Sequence, residues 1–183
     1  MKKKSVVLIL TFVLVAVCIV GGTLAWLTAA APAVTNTFTT SDVDITLEES
    51  ENLDLKMIPG YTITKDPKVT VIAGSEKCYL FVKLEKSANF DQFMTYTVDT
   101  DWTALEGEEN IYYQIVEKSA KNQIFDVISG NTVTVKNTVT KADMNGLTED
   151  TYPTLTVTAY ASQFAKNSSE NFTAAEAWAN VQP

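Results

Sequence analysis

From residue 43 to residue 163, apolar side chains recur at every second position in short runs separated by turn-forming residues, a period that strands satisfy and helices do not. Val43, Ile45 and Leu47 alternate with Asp42, Asp44 and Thr46, and Leu53, Leu55 and Met57 alternate with Asn52, Asp54 and Lys56. Pro59-Gly60 follows as a turn, Pro presetting φ and Gly accepting a positive φ. Further strands are expected at 61–65 and 68–72, interrupted by Asp66-Pro67, and after the Gly74-Ser75 turn at 78–85. There Cys78, Leu80, Val82 and Leu84 share the core face, with Lys83 and Glu85 opposite. Residues 89–94 fit a short helix or a loop. Strands at 95–98 and 111–117 flank an acidic turn at 106–110, with Trp102 as a packing anchor between them. Ser129-Gly130-Asn131 separates 123–128 from 132–135 and reads as a hairpin turn. A last strand, 154–163, puts Leu155, Val157, Ala159 and Ala161 on one face. Many short strands with regular turns predict an all-β fold, a jelly-roll-like antiparallel β-sandwich over 41–183; a parallel α/β fold would need long helices between strands. One short C-terminal helix is expected, because Thr173-Ala174-Ala175-Glu176 matches a capping box and Trp178 can dock it.

The start of the chain has a different character. Lys2, Lys3 and Lys4 precede an uncharged run over 5–20 closed by Gly21-Gly22, the layout of a secretory signal helix. Small residues beyond it, Thr23-Leu24-Ala25 and Thr28-Ala29-Ala30-Ala31, supply cleavage patterns, so the expected signal covers 1–25, with 29–31 as the alternative end. An uncleaved anchor competes with that reading, since no charge occurs from 5 to 27 and a span needs about 20 apolar residues. Lipidation of Cys18 is a third reading, opposed by bulky Val17 and by Ile19-Val20, which continue the apolar run. Residues 26–40 are expected to form an extended arm, in which the stretch 29–40 is small and Thr-rich around Pro32 with Phe38 as its one large anchor.

Charge and residue usage exclude several functions. Three of the 14 lysines lie in the leader and arginine is absent, so the exported part carries 11 lysines against 22 carboxylates. That balance opposes binding to nucleic acid or anionic membrane, where basic side chains neutralise phosphate; membrane contact is expected only through the signal segment before cleavage. Histidine is absent, which removes the commonest general base and the usual zinc ligand. No Gly-x-Ser-x-Gly turn or glycine-rich phosphate loop occurs. The pairs Glu48-Glu49 and Glu108-Glu109 are adjacent, so on a strand they point to opposite faces. No catalytic residue, cofactor or metal ligand is therefore assigned, and Asp99, Asp101 and the carboxylates of 106–109 stand as the candidate oxygens for calcium. Cys78, alone beyond the leader, has no intramolecular disulfide partner and reads as a buried small hydrophobe. Sequons at Asn167 and Asn171 mark a polar surface loop.

Three stretches carry a family resemblance. Gly21-Gly22-Thr23-Leu24-Ala25-Trp26 is similar to the end of signals cut by SipW-type peptidases; residues 36–45, from Asn36-Thr37-Phe38 to Asp44-Ile45, resemble the opening of the exported domains; and Met57-Ile58-Pro59-Gly60 with Lys65-Asp66-Pro67-Lys68-Val69 is similar to the turn and strands that follow. The chain thus resembles the TasA/camelysin family of exported biofilm-matrix proteins of Gram-positive bacteria. The resemblance implies recognition of Thr23, Ala25 and Trp26 by the peptidase, a jelly-roll domain, and fibres in which a donor strand enters the next copy's sheet. Val34, Asn36 and Phe38 would then belong to the assembly arm, and the partners would be further copies of the chain. Trp26-Leu27 departs from the usual aromatic-plus-Asp start and leaves the cleavage position open between Ala25 and the later alanines. The alternatives are pairing of the arm within its own domain, a monomeric adhesin or binding module, and a camelysin-like protease.

Overall fold

The computed structural model describes residues 42–50 and 56–182. They form an all-β structure of three antiparallel sheets: β1 (Ile45–Glu48), β3 (Lys68–Val71) and β8 (Gln123–Asp126); β2 (Thr62–Thr64), β9 (Thr132–Val135) and β5 (Met94–Thr95); and β10 (Leu155–Gln163), β4 (Cys78–Lys86), β7 (Ile111–Val116) and β6 (Thr103–Ala104), in those orders. Three short helices join them, α1 (Phe90–Phe93), α2 (Lys141–Asn145) and α3 (Ala174–Ala179). The expected signal helix, the arm and Leu53–Leu55 of an expected strand lie outside the described residues, and residues 56–58 form no strand although Met57 packs against the core.

β4 is the centre of the fold. It pairs with β10 along all nine residues, from Cys78↔Gln163 to Lys86↔Leu155, and with β7 from Cys78↔Val116 to Lys83↔Ile111. Cys78, Leu80, Val82 and Leu84 are completely buried in a core that also takes Val69 and Val71 of β3, Ile63 of β2 and Val133 and Val135 of β9. The opposite face corrects the expectation that charge lies there. Tyr79 and Phe81 are buried too, in a second cluster with Leu105, Ile111, Ala177 and Trp178, and only beyond them does the face open at Lys83 and Glu85. Alternation marks which residues share a face; it does not show that a distant helix covers that face.

The cover is α3. Thr173 caps it: the Glu176 backbone N–H donates to Thr173 Oγ1 at 3.2 Å and the Thr173 N–H to Glu176 Oε2 at 2.9 Å. Trp178 then lies 5.3 Å from the Phe81 ring and 5.3 Å, edge-on, from Tyr160, while the Tyr79 hydroxyl donates to the Phe172 carbonyl at 2.9 Å. Such aromatic contacts add to the burial of the rings.

The expected hairpin at Ser129-Gly130-Asn131 is also corrected. β8 pairs with β3 and β9 with β2, so the two strands do not pair with each other. Residues 62–71 and 123–135 instead pass one another as an antiparallel ribbon with a kink in each strand at one level, joined there by Lys65 N–H to Asn131 O (2.9 Å) and Val127 N–H to Pro67 O (3.1 Å). On one side Pro67 has no N–H to give. On the other, Gly130 (φ 64°) and Asn131 (φ 53°) supply the left-handed backbone that reads as a hairpin turn and here redirects a strand that continues.

Period-two reading also passes over α2. Thr140 and Asp143 form a reciprocal capping box, and Met144 and Leu147 project from the helix and its exit onto the main core. Trp102 is buried as expected, its indole N–H donating to the Asp126 carbonyl at 2.8 Å.

Trp178→Ala should lower unfolding free energy by about 3–5 kcal/mol in urea titrations, the usual loss for a large buried aromatic. The cap adds a pH signature. Bonds from the Thr173 N–H, the Lys166 ammonium and the Thr173 hydroxyl hold the Glu176 carboxyl below its ordinary value of 4.5. A lowered folded pKa contributes stability above the ordinary value that is lost as pH falls through the folded one. Glu176→Gln should therefore lose less stability than the parent between neutral pH and pH below 4.5, measured by denaturation at each pH.

Candidate functional site

An open groove of about 910 Å³ leads from the surface into the main core. Its floor is Ile63 of β2, Val133 of β9 and the α1–β5 residues Phe90 and Met94. Met57 and Ile58, ahead of the Pro59-Gly60 turn, make one wall; Met144 and Leu147 with the 152–155 segment entering β10 make the other. The floor follows from alternation: Ile63 and Val133 are register partners with the same inward orientation, while Thr62 and Thr64 face outward. The Met57–Ile58 wall depends on the turn. Gly60 sits at φ 78° and donates its N–H to the Val135 carbonyl at 3.0 Å, which ties Ile58 to the mouth.

The mouth exposes apolar surface. Ile58 is 48% and Tyr152 51% exposed, and Tyr61, just past the turn, 63%. Exposed apolar residues that occur singly are ordinary, whereas a cluster around a concave apolar surface marks a binding site. The ionisable groups of the lining are Lys56, Lys65 and Tyr152, and Lys65 is engaged with Glu49 at 2.7 Å. The groove can bury apolar side chains; its lining offers no carboxylate or imidazole for proton transfer.

Thr23, Ala25 and Trp26 of the expected peptidase site, and Val34, Asn36 and Phe38 of the expected arm, lie outside the described residues. Glu48 ends β1 exposed, while Glu49 lies beyond the strand and pairs with Lys65. Among the described residues no group of three or more Asp, Glu, Cys or His side chains is placed to hold a metal, and Asp99 Oδ1 instead accepts the Asp101 N–H at 3.1 Å. Asn167 is exposed and its side-chain Oδ1 accepts from the Ser169 and Glu170 N–H groups, both at 2.9 Å; Asn171 is exposed and bridges to Ala165. No described helix is long and apolar enough to cross a membrane. Met144, Leu147 and Tyr152 are groove residues that strand patterning misses; the Thr140-x-x-Asp143 cap is the signal that could have placed the first two.

Cys78 is buried, and its burial pushes the thiol up to about 11. Comparison of the chain with family models, curated proteins and solved structures found no match.

Since the thiolate is the reactive form, Cys78 should resist iodoacetamide at mildly alkaline pH in the native protein and react promptly in urea, as mass spectrometry of timed samples will register. Prompt native labelling would contradict the core-facing placement of β4.

Proposed function

We propose that this chain is an exported, non-catalytic structural protein whose copies assemble into extracellular matrix or cell-surface fibres, the arm at 26–40 of one copy entering the groove of the next. The observation that carries the reading is the groove: mostly apolar, open, and lined in part by the exposed side chains of Ile58 and Tyr152. The arm suits it chemically. Residues 26–40 contain no charged side chain, although the rest of the exported chain is dense in carboxylates, and they are rich in threonine, which favours strands. At about 3.3 Å per residue, fifteen residues span roughly 50 Å, enough to cross a neighbouring domain. Val34 and Phe38 are the side chains to fill the groove, while main-chain bonds to a sheet edge supply affinity without sequence demands.

In this reading the three sheets are the leaves of a jelly-roll-like sandwich, and the chain is a TasA/camelysin-type protein. The signal is removed by a SipW-type peptidase reading Thr23, Ala25 and Trp26, and that cut frees the arm. Localisation is then the cell surface or biofilm matrix, and the main partner is a second copy.

Electron microscopy should show fibres from the exported chain and none after deletion of 26–40. A double change at the exposed mouth, Ile58→Asp with Tyr152→Asp, should also leave monomers, and a synthetic peptide of residues 30–40 should bind the arm-deleted protein but not the mouth variant. Equal polymerisation of all three proteins would refute the arrangement, whereas arm-deleted and parent proteins that are both stable monomers would favour a binding module. N-terminal sequencing of secreted protein will distinguish a cut after Ala25 from one at 29–31.

A further inference from the structure

A second opening lies on the other side of α1–β5, and its chemistry is different. It is a cleft of about 540 Å³ between the 95–100 segment and the β6–β7 edge, floored by Trp102. Ligand pockets occupy about 300–1,000 Å³ and combine aromatic walls with a few polar groups. Tyr96 and Tyr112 each pack partly against the core and also line the cleft. Around them stand the Asp91 and Asp99 carboxylates, the Asn110 amide, the Lys86 ammonium, and threonine hydroxyls at 95, 97 and 100.

The lining narrows the ligand class. An anion is disfavoured, because two carboxylates face the cleft and its one cation, Lys86, is paired with Asp91 at 2.6 Å. A metal is disfavoured, since no described group of three ligating side chains exists. A purely apolar ligand would strand the polar groups, at the cost of their desolvation. What remains is a neutral molecule with an apolar face for the tyrosine rings and many groups that both donate and accept hydrogen bonds. That description is a pyranose: its C–H face packs on an aromatic ring, and neighbouring hydroxyls bridge carboxylate and amide oxygens.

We infer that this cleft is a binding site for a neutral glycan, with Tyr96 and Tyr112 supplying the aromatic walls and Asp99 and Asn110 the hydroxyl contacts. Several features suit the role. Asn110 holds φ at 61°, and its carbonyl accepts the Leu84 N–H at 2.9 Å, so the residue is fixed by the backbone while its exposed amide is free to bind. Phe90 packs edge-on against the Tyr96 ring at 5.8 Å and fixes the aromatic wall. Burial, with Tyr112 and Asp91 nearby, pushes the Tyr96 phenol up to about 12, so it remains a donor at neutral pH.

Isothermal titration calorimetry of the exported chain with chitotetraose, cellotetraose and maltotetraose tests the assignment. Saturable binding of at least one is expected, weakened roughly tenfold or more by Tyr96→Phe with Asn110→Gly, as loss of two hydrogen bonds to ligand implies. Both changes suit the fold, since the ring is kept and glycine accepts the positive φ. Asp99→Asn keeps the acceptor for the Asp101 N–H and should weaken binding alone, while Ile58→Asp with Tyr152→Asp should leave it unchanged, which separates this site from the assembly groove. Absence of binding to all three sugars at millimolar concentration overturns the inference. Undiminished binding in the Tyr96/Asn110 variant overturns the site, and equal affinity for a sulfated oligosaccharide overturns the neutral class.

Discussion

Burial of β4 on both faces is the constraint from which the rest of the structure follows. A strand with one wet face needs one partner layer; a strand whose Tyr79 and Phe81 are buried along with its Leu80 and Val82 needs two. The first layer is the main core shared with β2, β3 and β9, and the second is α3, whose Trp178 closes over Phe81 and Tyr160. Pairing on both edges follows as well, because the backbone polar groups of a buried strand must find partners. β10 and β7 provide them. The 163–173 segment that brings α3 back across the sheet is held by the Tyr79 hydroxyl at Phe172, so one residue of β4 anchors both the aromatic cluster and the chain that covers it.

How much of this was legible in the sequence depended on distance along the chain. The strands at 68–71, 78–86, 111–116 and 155–163 were legible because alternation is local, and α3 because its cap lies within four residues. Cys78 and Trp102 were legible for the same reason. What failed was pairing. Ser129-Gly130-Asn131 does take positive φ, but whether such a turn reverses a strand or bends it depends on what lies opposite, and Pro67 stands 62 residues earlier. The groove was illegible on the same grounds: its lining comes from β2, α1, β9, α2 and the entry to β10, and no single segment shows an unfilled concavity. The two outcomes have one cause, since sequence pattern reports the face of a strand and not the neighbour that covers it.

The α1–β5 segment explains why the domain has two openings with opposed chemistry. Phe90 and Met94 point to the groove; Asp91 and Thr95 point to the cleft. A helix of four residues turning directly into a two-residue strand is too short to build a layer of its own, so its two sides become walls of different spaces. Lys86, which lines the cleft, and the Lys136 ammonium hold this partition in place, the first at the Asp91 carboxylate and the second at its backbone carbonyl. On the functional reading above, assembly and glycan recognition therefore occupy separate surfaces, and a copy engaged by its neighbour's arm would keep its polar cleft accessible.

The charge balance bears on how copies of such a domain can meet. With 22 carboxylates against 11 lysines beyond residue 25, two copies carry like net charge and repel as they approach within a Debye length of about 8 Å at physiological salt. Net charge therefore opposes association between copies. On the functional reading above, contact instead joins the uncharged 26–40 stretch to a groove whose lining is mostly apolar. The repulsion then serves specificity, because side-by-side contacts between acidic faces are penalised while a strand inserted end to end adds no charge to the junction. A polymer made in this way would be linear, since each copy offers one arm and one groove, a heterologous contact that does not close on itself unless its rotation happens to form a ring.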